Sequence, residues 1–85
     1  MNPVVLFVDD DKEVLTSVRR IFFDQPVKVL TALSAEQALD VLNSQSVAVI
    51  VADNKMPGMS GIQLLEMARD SETDAIRILL TAHAD

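Results

Sequence analysis

Three segments of this chain are apolar at nearly every residue, and that lack of alternation restricts the fold more than any other feature. Val4-Val5-Leu6-Phe7-Val8, Val47-Ala48-Val49-Ile50-Val51-Ala52 and Ile76 to Leu80, the last broken only by Arg77, are rich in β-branched residues. They have the length of strands and not of buried helices. A strand apolar on both sides must be covered on both sides, as in a parallel sheet sheathed by helices. Val27-Lys28-Val29-Leu30-Thr31 alternates enough to be a flanking strand. Between these runs the apolar residues take a helical period, with Val14, Val18, Ile21 and Phe22 on one face, then Ala35, Ala38, Leu39 and Leu42, then Ile62, Leu65 and Ala68. Each helical segment opens on a capping-box spacing, Asp10 before Glu13, Ser34 before Gln37 and Ser60 before Gln63. Strand alternating with helix implies right-handed crossovers and a doubly wound, parallel α/β sheet.

The 85 residues suffice for one core. Thirteen acidic against seven basic side chains leave a formal charge of -6, so direct binding to nucleic acid or to an anionic membrane is opposed and small cations are favoured. The chain has no Cys, which removes disulfides, thiolate metal sites and a cysteine nucleophile. Met1-Asn2-Pro3 carries no basic residue ahead of the first apolar run, which does not suit a secretory signal. No run approaches the ~20 apolar residues that span a bilayer. A soluble, cytoplasmic protein is expected.

In open α/β sheets, ligands bind beyond the carboxyl ends of the strands. Asp9, Asp10 and Asp11 follow the first strand here, Asp53 the third and Thr81 the fourth. If the first and third strands are neighbours, three carboxylates converge on one rim, and a divalent cation is what relieves their repulsion. Oxygen ligands alone point to Mg²⁺ or Mn²⁺. Such an ion would draw a phosphoryl donor against Asp53 as nucleophile. The Thr81 hydroxyl and the backbone amides of the Asn54 to Lys55 stretch are candidate donors to the phosphoryl oxygens. Asp11 is read as a helix cap.

Taken together, Asp9-Asp10 after an apolar first strand, Asp53 followed by Met56-Pro57-Gly58-Met59-Ser60-Gly61, and Ile78-Leu79-Leu80 ending in Thr81-Ala82 resemble the receiver domain of two-component response regulators. The resemblance covers residues 1–85. It implies a flavodoxin-like sheet of order 2-1-3-4, with Asp53 taking a phosphoryl group from a sensor histidine kinase, a phosphotransfer protein or a small phosphodonor. It implies Mg²⁺ held by Asp10 directly, by Asp9 mainly through water, by Asp53 and by the backbone carbonyl of Lys55. Thr81 would swing toward the phosphoryl group, and the side chains of Lys55 and His83 are candidate modulators of its lifetime. Receivers also carry a fifth strand with a lysine that pairs with the phosphoryl group, followed by a last helix. Neither they nor most of the fourth helix have a counterpart here, so the chain is expected to be a receiver without its C-terminal third.

Two competing functions follow from the same residues. A Mg²⁺-dependent phosphohydrolase of the haloacid dehalogenase type would need an acid two positions after the nucleophile, where this chain has Lys55. A degenerate receiver would bind a partner without accepting phosphate, or form a homodimer, through the bare edge of the fourth strand. Phosphoryl acceptance by a non-enzymatic switch is the leading expectation.

Overall fold

The computed structural model describes residues 2–70 and 74–80. Its elements run β1 (Val4–Val8), α1 (Lys12–Ile21), β2 (Lys28–Ala32), α2 (Ala35–Ser44), β3 (Val49–Asp53), α3 (Gly61–Asp70) and β4 (Ile76–Leu80). All pairings are parallel, in the order β2-β1-β3-β4, which is the doubly wound α/β arrangement expected. The bounds of two strands differ from those their apolar runs suggest. Val47 is buried ahead of β3 instead of opening it, and Asp53 is the last strand residue, while β2 begins and ends one residue later than its alternation implies.

Register explains how the core divides. Leu6 pairs with Leu30 and Ile50, and Val8 with Ala32 and Ala52, so these side chains share the sheet face that meets α2 and α3. Against them lie Ala35 and Ala38 of α2 and Leu64 and Ala68 of α3. The small residues let helix and strand backbones approach, while Leu6, Ile50 and Leu64 fill the space between and are fully buried. On the opposite face Phe7 packs on Phe22, with ring centroids 5.6 Å apart and a tilt of 38°. There α1 buries Leu15, and Arg19 donates to the Thr31 hydroxyl of β2 at 2.6 Å.

The inward stripe of α1 is therefore Leu15, Val18 and Phe22, and not the face that includes Val14 and Ile21, which are 40% and 67% exposed. In α3 the buried positions are Gly61, Leu64 and Ala68, and Ile62 points outward. The reading of β4 as covered on both faces is corrected too. Ile76 and Ile78 pair with Val49 and Val51 on the α1 side of the sheet, where they remain 63% and 42% exposed. That face carries one helix, α1, and among the described residues Val51 of β3 is buried there while β4 is left without a cover.

Candidate functional site

Adjacency of β1 and β3 brings two strand ends to one rim. Asp9 and Asp10 directly follow β1, and Asp53 closes β3. One carboxylate oxygen from each lies within 4.8 Å of the other two, with Asp9 and Asp53 half-buried and Asp10 exposed. The Asp9 backbone N–H donates to the Ala32 carbonyl at 3.1 Å, and its Oδ1 accepts from the Asp11 N–H at 2.9 Å, so the side chain is held in place on the rim. Burial pushes the Asp9 carboxyl above its ordinary pKa. The Asp11 N–H opposes that rise, and the neighbouring charges of Asp53, Asp10 and Asp11 add to it.

The cap of α1 is Asp11 and not Asp10. Asp11 has extended backbone, φ -95° and ψ 110°, and its Oδ1 accepts from the Glu13 N–H at 2.9 Å. The Asp10–Glu13 capping box is overturned because the helix starts one residue later than that spacing requires. The displacement leaves the Asp10 carboxylate directed to the acidic trio. At α2, Ser34 Oγ accepts from the Gln37 N–H at 3.2 Å, while Gln37 Oε1 reaches back one residue further than expected, to the Leu33 N–H at 2.9 Å. At α3 the reciprocal box forms as spaced, with Ser60 N–H to Gln63 Oε1 at 2.9 Å and Gln63 N–H to Ser60 Oγ at 3.2 Å.

The loop after Asp53 is built to run close to the strand. Gly61 sits against it so tightly that a Cβ would lie 2.4 Å from the Asp53 carbonyl oxygen. Gly58 takes φ +77°, a conformation that glycine adopts without a Cβ penalty. Met56 is buried in the core and anchors the middle of the loop, whereas Lys55 is exposed. The Asn54 N–H donates to the Leu80 carbonyl at 3.2 Å. That amide is committed to joining β3 and β4, which corrects its reading as a donor to a phosphoryl group. Sequence reasoning also passed over the Asn54 side chain, whose Oδ1 accepts from the Ile62 N–H at 3.3 Å. Its eight-residue separation resembles no local capping spacing. Thr81 and His83 lie outside the described residues.

The donor set of the rim is all oxygen, anionic and partly exposed, which suits a hard divalent ion such as Mg²⁺ better than a soft metal. The comparisons with known proteins agree with this topology and rim. Residues 5–85 match the family model of the response regulator receiver domain. The chain belongs to that family. It is 36% identical over 81 residues to the hydrogenase transcriptional regulatory protein HoxA of Cupriavidus necator, covering 95% of this chain and 17% of that protein. To sporulation initiation phosphotransferase F of Bacillus subtilis it is 27% identical, covering 100% of this chain and 68% of that protein. The signal receiver domain of an HD domain-containing protein from Pseudomonas fluorescens superposes with a TM-score of 0.94 at 29% identity, covering 100% of this chain and 68% of that one. The response regulator TrrA from Thermotoga maritima, solved in complex with Mg(2+)-BeF, gives 0.88 at 29% identity, over 96% of this chain and 71% of that one. The chain thus spans about two thirds of the receivers it superposes on and a far smaller share of the transcriptional regulators.

Proposed function

We propose that residues 1–85 form a phosphoacceptor module of a two-component system, with Asp53 as the acceptor. The observation that carries this reading is the convergence of the Asp9, Asp10 and Asp53 carboxylates within 4.8 Å on the rim of a receiver sheet. Asp9, Asp10, Asp53 and the Lys55 backbone carbonyl would hold a Mg²⁺ ion, with Mn²⁺ as a substitute. When bound, the ion neutralises the trio and offsets charge on the incoming phosphoryl group.

The chemistry at Asp53 is a group transfer. A carboxylate oxygen attacks the phosphorus of a phosphohistidine on a sensor kinase or phosphotransfer protein. The P–N bond breaks as the P–O bond forms, and the departing imidazole nitrogen keeps the electron pair and takes up a proton. Water later cleaves the acyl phosphate, returning the Asp53 carboxylate and inorganic phosphate. Thr81 donates its hydroxyl to a phosphoryl oxygen, and the Lys55 and His83 side chains set how readily water attacks. Each cycle consumes one phosphoryl group at the chain's own aspartate, so the module is a switch and not a multiple-turnover enzyme. Its net charge of -6 suits a protein partner over nucleic acid or an anionic membrane.

Intact mass after incubation with Mg²⁺ and acetyl phosphate tests the reading. One phosphoryl adduct is expected on the wild type and none on Asp53→Asn. An unmodified wild type, or an adduct that persists in Asp53→Asn, would overturn it. A second reading, a receiver that binds partners without being phosphorylated, is favoured by one observation. Ile76, Ile78 and Leu80 are exposed on a strand that stands at the edge of the described sheet, a surface suited to pairing with a second copy.

A further inference from the structure

Asn54 ties the loop after Asp53 to itself and to two other elements, β4 and α3. Its N–H donates to Leu80 at the end of β4, its carbonyl accepts from both the Met56 and Gly61 N–H groups at 3.2 Å, and its Oδ1 accepts from the Ile62 N–H. The first four amides of a helix have no partner within it. In α3, Ser60 takes those of Gln63 and Leu64, through its hydroxyl and its carbonyl, and Asn54 takes those of Gly61 and Ile62. The segment 54–61 is therefore a ring whose ends meet on a single residue. Asp53 stands immediately before that residue, and Lys55 lies inside the ring.

We infer that Asn54 is a positioning residue for the phosphoacceptor site, its side-chain oxygen closing the ring that fixes the Asp53 carboxylate and the Lys55 carbonyl. The inference rests on the reading of Asp53 as acceptor. Loss of Oδ1 leaves the Ile62 N–H without its partner at the point where the ring closes. The backbone bonds through Gly61 and Met56 then carry the loop alone, and the Asp53 carboxylate and Lys55 carbonyl, the groups that would hold the ion, are free to drift. Aspartate at the same position keeps an oxygen within reach of Ile62, and its charge suits a helix N-terminus. A residue with only a structural role would lower the melting temperature and leave the chemistry of the folded chain untouched.

The test compares wild type, Asn54→Ala and Asn54→Asp, well below their melting temperatures and with folding checked by circular dichroism. Two quantities are read: the Mg²⁺ dissociation constant by calorimetry, and the rate of phosphoryl incorporation from acetyl phosphate at saturating Mg²⁺. Loss of a group that orients metal ligands typically weakens binding about 10- to 100-fold. Asn54→Ala is expected to weaken Mg²⁺ binding by about tenfold and to slow incorporation, with Asn54→Asp recovering the rate. If Asn54→Ala does not fold, Asn54→Ser, whose hydroxyl falls short of the Ile62 N–H, is read in the same way. A folded Asn54→Ala with wild-type affinity and rate overturns the inference, as does an Asn54→Asp no faster than alanine. A wild type that neither binds Mg²⁺ nor accepts phosphate overturns the acceptor reading itself, and this inference with it.

Discussion

Burial holds the Asp9 carboxyl above the ordinary carboxylate range while two further acids stand within 4.8 Å. The consequence for stability has a definite sign. A raised folded-state pKa means that the native form binds the proton more tightly than the unfolded chain does. Asp9 therefore favours folding at a pH below its unfolded value of about 3.9, and that contribution is lost as pH rises through the raised folded value. At neutral pH its charge works against the fold. Asp9→Asn keeps an oxygen to accept the Asp11 N–H and removes the charge. The variant is expected to melt at a higher temperature than wild type at pH 7 without divalent ions, and to lose that advantage near pH 3. Adding Mg²⁺ should raise the melting temperature of wild type more than that of the variant, because binding to the native state alone stabilises it. Calorimetric scans at the two pH values, with and without Mg²⁺, check both statements. Equal midpoints at pH 7 would remove Asp9 as a source of strain.

Among the elements, α3 is the one whose placement depends most on fine fit. Gly61 opens it with no room for a methyl group, since a Cβ would meet the Asp53 carbonyl oxygen at 2.4 Å and Leu79 Cδ1 at 2.9 Å. Gly61→Ala is expected to cost about 1 to 3 kcal/mol and to impair phosphoryl incorporation, because the backbone that must yield is that of Asp53. Ser60→Ala, which removes only the cap of Gln63, should cost about 1 kcal/mol by urea denaturation, with incorporation less affected. The contrast between Ser60 and Asn54 also shows what could be read from the sequence. The Ser60–Gln63 box is local, a fixed spacing along one chain segment, and it is legible in the order of residues alone. The bonds of Asn54 reach eight residues along the chain and across to β4, a distance that only the fold closes. The same limit undid the Asp10–Glu13 box and left Asp11, read from the sequence as a cap, in that role, since periodicity places a helix start only to within a residue or so. The existence of the strands was legible because doubly apolar runs leave few alternatives, whereas their order came only from the resemblance to receiver domains. The inward stripe of α1 was not, because Val14, Leu15, Val18, Ile21 and Phe22 make a band wider than the sheet beneath it covers. Asp9, Asp10 and Asp53 were found from their positions at strand ends, and the adjacency of β1 and β3 supplied their convergence.

For the molecule as a whole, burial is uneven between the two faces of the sheet. On the side of α2 and α3, Leu6, Ile50 and Leu64 are sealed, and Leu64→Ala is expected to cost about 2 to 5 kcal/mol, a large share of the stability of a domain this small. On the side of α1 the uncovered β4 presents Ile76, Ile78 and Leu80 to solvent, with Val14 and Ile21 also exposed on the helix. That area adds little to the stability of a single copy and leaves apolar surface and a strand edge ready for another. Residues 1–85 on their own are accordingly expected to self-associate, with a scattering mass that rises with concentration. The double variant Ile76→Thr/Ile78→Thr keeps β-branched side chains in the strand while making the exposed face more polar. It should remain monomeric at concentrations where wild type does not, and its urea midpoint, measured at monomeric dilution, should stay close to that of wild type. A wild type of monomer mass across the whole dilution series would exclude pairing through β4, and a double variant that associates as strongly as wild type would move the contact to another surface.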